Sequence, residues 1–194
     1  MNDKIRVLLV DDNDDFAVLF KNIVAADERL DYLGHASDRR SGVEAACRMN
    51  PDIVVMDLDL SGEALEGIDA AKEIRVKTGT KILFLTVYDR YETVITASKK
   101  AFASGYIFKS HFQMITDAIY NTAASDTPQK DLIRELILSG LTSAERGVFD
   151  RIMKGDDDEA IHSSASTIAN QKTSIFRKLG LKSTKELKTV FGNW

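Results

Sequence analysis

Cysteine and proline are almost missing from this chain, which has one Cys and two Pro in 194 residues, and its three histidines are scattered. A single thiol closes no intrachain disulfide, and His35, His111 and His162 share no ligand spacing with Cys47, so a disulfide scaffold and a Cys/His zinc site are both excluded. Cys47 lies in the apolar helical stretch SGVEAACRM, where a buried small hydrophobe is expected. No apolar run approaches the ~18 residues of a membrane span. The opening MNDK runs straight into a strand pattern without the regions of a signal peptide. These absences point to a reducing cytoplasm.

What is present is an apolar fraction of 44%, ample for a core, in a length that suits two modest domains. Apolar runs at 5–10, 31–36, 52–57, 81–86 and 105–109 alternate with helical patterns at 14–26, 39–49, 66–77, 91–100 and 112–124. Strand and helix in alternation give a doubly wound parallel sheet, and strands buried on both faces read as continuous apolar runs. Asn13, Asp14, Asp38 and Ser41 stand where helix caps are needed.

Four of these runs end on chemistry. Asp11 and Asp12 follow IRVLLV, Asp57 follows DIVVM, Thr86 follows KILFL and Lys109 follows GYIF. Functional groups of such sheets collect at the carboxyl ends of the strands, so these side chains should converge. Carboxylates crowded together repel unless they share a cation, and an all-oxygen ligand set favours Mg²⁺. An Asp beside Mg²⁺ and a Lys is equipped to attack a phosphoryl group and become an aspartyl phosphate.

These residues resemble the receiver domain of bacterial response regulators over residues 3 to about 123. The resemblance implies a flavodoxin-like strand order, 2-1-3-4-5. It makes Asp57 the phosphoacceptor, with Thr86 and Lys109 assisting. Asp11, Asp12, Asp57 and the backbone carbonyl of Asp59 become the Mg²⁺ ligands, and Thr86 and Tyr106 the switch pair. Two features depart from the pattern. In LDLSGEALEG, Ser61 replaces the usual proline and Gly67 arrives about two residues late, so a looser hold on the Asp59 carbonyl is expected. Val87 follows Thr86 where a small residue is usual, narrowing the mouth and slowing phosphate traffic.

After residue 124 the composition shifts. ASDTP marks a boundary, and Leu132, Ile133, Leu136 and Ile137 form a short amphipathic linker helix within 125–140. From 141 to 194 the pattern is all α, opening with a capping box from Thr142 to Glu145. Residues 167–194 hold six Lys or Arg against one acid in a chain of net charge −4, and a basic tail of this kind suits nucleic acid. LT..ER and TIANQKTSIFRKLGLKS resemble the LuxR-type helix-turn-helix of NarL/FixJ-type regulators. That resemblance puts Ala169, Asn170 and Thr173 at base edges and Thr167, Lys172 and Lys178 at phosphates, and makes KELKTVF a dimer surface. The stretch DDDEAIHSSAS is about four residues shorter than the family's span, one turn of helix.

The expectation is a cytoplasmic, non-membrane, two-domain response regulator. A histidine kinase or phosphotransfer protein phosphorylates Asp57, and the protein then dimerises and binds promoter DNA. It is no enzyme beyond its own phosphoryl transfer and dephosphorylation. An alternative is an output domain too short for DNA that contacts a protein instead. A haloacid-type phosphatase also uses an Asp nucleophile with a second Asp two residues on, here Asp59, but leaves Asp11, Asp12 and the basic tail unexplained.

Overall fold

The computed structural model describes residues 4–60, 65–87, 91–124, 127–156, 165–192 and 194. Five strands, β1 (Ile5–Val10), β2 (Leu30–Ala36), β3 (Ile53–Asp57), β4 (Lys81–Thr86) and β5 (Gly105–Phe108), form one sheet in the order β2-β1-β3-β4-β5. Every pairing is parallel. Between them run α1 (Asp14–Ala25), α2 (Arg39–Met49), α3 (Glu66–Thr78) and α4 (Tyr91–Ala101), with a 3₁₀ segment Lys109–Met114 leading into α5 (Ile115–Ala123).

Strand periodicity divides the core into two layers. Leu8, Val10, Val54, Met56, Ile82 and Phe84 pack with α2, α3 and α4 residues on one face. Val7, Leu9, Ile53, Val55, Leu83 and Leu85 pack with Ala17, Phe20, Ile115 and Ile119 of α1 and α5 on the other. Both faces of β1, β3 and β4 are therefore dry, which is why these strands read as unbroken apolar runs. The expected caps form: Asn13 accepts the Phe16 N–H, and Asp38 accepts the Ser41 N–H. Cys47 corrects an expectation. One helical step past buried Ala46 turns it off the packed face of α2, and it is exposed.

The remaining chain is helical: α6 (Pro128–Leu138), α7 (Ser143–Lys154), α8 (Ala165–Leu179) and α9 (Thr184–Phe191). Pro128 sits in the first turn of α6 under a Thr127 cap, where its missing N–H costs nothing. Lys130, Ile133, Ile137 and Leu138 are its buried residues, whereas Leu132, expected on the same apolar face, points to solvent at 71% exposure. The Thr142–Glu145 capping box opens α7, and Gly180 in the left-handed region follows α8. Of the shortened acidic stretch at 156–166, residues 157–164 lie outside the described residues.

The helical core does not stand apart from the sheet domain. Phe102, buried beyond α4, joins Phe149, Ile152, Leu187, Val190 and Phe191 in one cluster and meets Phe191 edge-on at 5.7 Å. Arg75 of α3 donates to the Val190 carbonyl of α9 at 2.6 Å. Among the described residues no helix is long and apolar enough to cross a membrane.

Candidate functional site

Register places the strand-end residues side by side. Val10 pairs with Met56, Asp57 with Leu85 and Thr86 with Phe108, so Asp11, Asp57, Thr86 and Lys109 follow each other across one edge of the sheet. The carboxylates of Asp11, Asp12 and Asp57 each bring an oxygen within 4.8 Å of the others. Lys109 Nζ lies 2.7 Å from Asp57 Oδ2 and 2.8 Å from Asp11 Oδ2. Convergence is thus as the sequence implied.

Asp11 is fully buried, and its Oδ1 accepts the Asn13 N–H at 3.0 Å. Its Oδ2 is in ion-pair range of Lys109 but lacks the alignment of a hydrogen bond. A buried carboxylate oxygen left in this state, with two more carboxylates beside it, fits a hard divalent cation, which takes oxygen ligands and cancels their repulsion. Burial holds the Asp57 carboxyl above the usual carboxylate range; Lys109 opposes that shift and nearby Asp11 adds to it. Burial alone would lower the Lys109 ammonium, but Asp11 and Asp57 outweigh it and hold it higher than an ordinary lysine.

Thr86 is fully buried at the end of β4, and Val87 beside it is 70% exposed at the mouth. Tyr106 is half-buried, its ring edge-on to Phe108 at 4.9 Å. Asp59 is half-buried and its Oδ1 accepts the Leu65 N–H at 2.8 Å. That carboxylate is tied to the backbone of Leu65. Gly67 is forced by its surroundings: a Cβ there would lie 1.9 Å from the Asp57 carbonyl oxygen.

Sequence reasoning missed two supports of the site. His35 Nε2 lies 2.6 Å from the Asp11 carbonyl oxygen, and the Phe16 ring sits 4.9 Å from Lys109 Nζ. His35 near the end of β2 carried a signal, since that end of a parallel sheet is where function gathers. Phe16 carried none beyond its helical spacing.

On α8, Thr167, Ala169, Asn170 and Thr173 are exposed and Lys172 is half-buried, so the expected base-facing positions share open surface. Thr173 Oγ1 donates to the Ala169 carbonyl at 3.0 Å. Lys178, expected at a phosphate, donates from Nζ to Glu145 Oε2 at 2.6 Å in the free protein, the capping-box carboxylate of α7 facing it. Lys178 ties α8 to α7.

A five-stranded parallel sheet with an acid cluster and a lysine on its carboxyl edge, joined to a helical unit, defines a receiver-type signalling protein. A family model described as the response regulator receiver domain matches residues 7–120. The chain belongs to that family. The nitrate/nitrite response regulator protein homolog of Haemophilus influenzae is 28% identical over 98% of each chain. A LuxR-family two-component response regulator from Aurantimonas sp. SI85-9A1 shares 28% identity with a TM-score of 0.59, covering 70% of this chain and 96% of that one. The response regulator RcsB of Salmonella typhimurium, at 19% identity, shares the fold over 96% of this chain and 97% of its own, with a TM-score of 0.56. The chain is a two-component response regulator of the NarL/FixJ type.

Proposed function

We propose that Asp57 is the phosphoacceptor of a transcriptional regulator whose α8 binds promoter DNA when the receiver is phosphorylated. The observation that carries this reading is the convergence of Asp11, Asp12 and Asp57 within 4.8 Å around a site that also holds Lys109. Asp11, Asp12 and Asp57, with the backbone carbonyl of Asp59, would hold Mg²⁺, which neutralises phosphoryl oxygens when bound.

An Asp57 carboxylate oxygen attacks the phosphorus of a phosphohistidine on a histidine kinase or phosphotransfer protein, and the imidazole leaves. Lys109 opposes the effect of burial on the Asp57 carboxyl, then transfers its ion pair to the incoming phosphoryl oxygens. The Thr86 hydroxyl, at the same carboxyl edge of the sheet, would donate to a phosphoryl oxygen, and Tyr106 would follow it inward. The change reaches the helical unit through α4 and α6, and the phosphorylated protein acts on DNA as a homodimer in the cytoplasm. Asn170 supplies the side chain suited to adenine, with Ala169 and Thr173 beside it and Thr167 and Lys172 toward phosphates. Lys178 would exchange its ion pair with Glu145 for a phosphate.

The test is selection of bound fragments from a random DNA pool, with and without beryllofluoride as the phosphoryl mimic, at two salt concentrations to remove nonspecific attraction. A shared motif that depends on beryllofluoride is expected. Absence of any motif at either salt would assign the output to a protein partner.

A further inference from the structure

The β3–α3 loop lacks the proline that the family uses, yet two ends of it are held. Leu58 and Leu60 are fully buried on either side of Asp59, and the Gly67 N–H donates to the Leu58 carbonyl at 2.9 Å. Between these anchors Leu65 takes φ 66 and ψ 13, the left-handed conformation that glycine adopts freely and leucine avoids. An outlier of this kind persists only where its surroundings impose it, and such residues gather at functional sites. The imposed contact here is the hydrogen bond from Leu65 N–H to Asp59 Oδ1, 2.8 Å long across six residues. The Asp59 backbone N–H meanwhile lies 3.5 Å from Asp57 Oδ1, at the outer limit of a hydrogen bond, so the residue that clasps the loop also neighbours the nucleophile.

We propose that the Asp59 side chain is a positioning residue of the phosphoacceptor site. By clasping Leu65 it fixes the peptide whose carbonyl would meet the cation, the task a proline ring performs by restricting φ. The inference rests on the reading of this site as a Mg²⁺-dependent phosphoacceptor. What matters on this account is an acceptor at Oδ1, and the charge of the carboxylate is secondary. Asparagine keeps that acceptor and alanine removes it.

The experiment is isothermal titration of full-length, unphosphorylated wild type, Asp59→Asn and Asp59→Ala with magnesium chloride, with thermal midpoints recorded alongside. We expect Asp59→Asn to bind within about threefold of wild type and Asp59→Ala to bind at least about tenfold more weakly, an effect of about 1.4 kcal/mol. Equal affinity in all three proteins overturns the clasp. Equal weakening, or equal strengthening, of both variants overturns it too, because charge would then be acting. A general loss of structure would lower the midpoint of Asp59→Ala as well, and rescue by Asn with an unchanged midpoint separates positioning from folding. If the wild type itself binds no Mg²⁺, the phosphoacceptor reading fails first and takes the clasp with it.

Discussion

Arg75 offers a direct test of how the two parts of the chain are held together. Among the described residues it is the largest fully buried side chain, and its guanidinium bridges two helix ends. Nη1 donates to the carbonyl of Gly79, the C-cap of α3, at 2.7 Å, and Nη2 donates to Val190 in the last turn of α9 at 2.6 Å. The last carbonyls of a helix have no partner within it and carry the negative end of the dipole, so one cation here serves two of them. The Trp194 ring lies 5.4 Å from Arg75 Cζ. Burial pushes Arg75 down to about 10, which leaves it charged at neutral pH.

Arg75→Ala removes a charged hydrogen bond across the domains, ~1.5–3 kcal/mol, and a cation–π contact of ~0.5–2 kcal/mol. Part is returned, because a buried guanidinium with an unpartnered Nε is itself costly to desolvate. We expect a net loss of about 2–3 kcal/mol in docking, a shift of ~30–150-fold toward the undocked state. Trp194 is the only tryptophan, so red-shifted emission reports the loss locally. A larger radius of gyration by solution scattering reports domain separation. The variant should also dimerise more readily without phosphorylation, since Leu187, Val190 and Phe191 of α9 are turned inward while docked. Arg75→Met, which keeps bulk and loses the hydrogen bonds, should fall between. Wild-type scattering, emission and urea midpoint in Arg75→Ala would refute the reasoning.

Two further outcomes follow from packing and charge. Gly67→Ala should cost at least about 1–3 kcal/mol and abolish Mg²⁺ binding, because its Cβ meets the Asp57 backbone, which has no room to yield; denaturant unfolding and calorimetric titration check this. The Lys178 ammonium beside Glu145 holds its carboxyl down at about 2, below the 4.5 of a free glutamate. That stability is fully present above pH ~4.5 and is lost as pH falls toward ~2. Glu145→Gln should lower stability at neutral pH by about 1 kcal/mol and flatten its acid dependence in that window, read by Trp194 emission during acid titration.

The legible part of this molecule is the part whose burial is decided within one element. Strands β1, β3 and β4 are packed on both faces by their own sheet architecture, so their runs are continuous and their ends, with Asp11, Asp57, Thr86 and Lys109, could be read directly. Caps such as Asn13, Thr142 and Ser183 are equally local. Residues buried by a distant segment give no such signal. Arg75 has the spacing of an ordinary helix cation, and its acceptor Val190 lies 115 positions away. Phe102 follows α4 as an apolar residue of no stated destination, and the arrival of the later helices, α9 among them, makes it core. Leu65 was hidden for a different reason: its left-handed backbone accompanies a hydrogen bond to the Asp59 carboxylate, and a sequence pattern that looks there for glycine sees only a two-residue delay. For Arg75 and Phe102 the decisive partner belongs to another segment; for Leu65 it lies in the same loop. The receiver's strand-end residues were therefore open to inspection, while the docking of its output helices and the bracing of its β3–α3 loop required the folded chain.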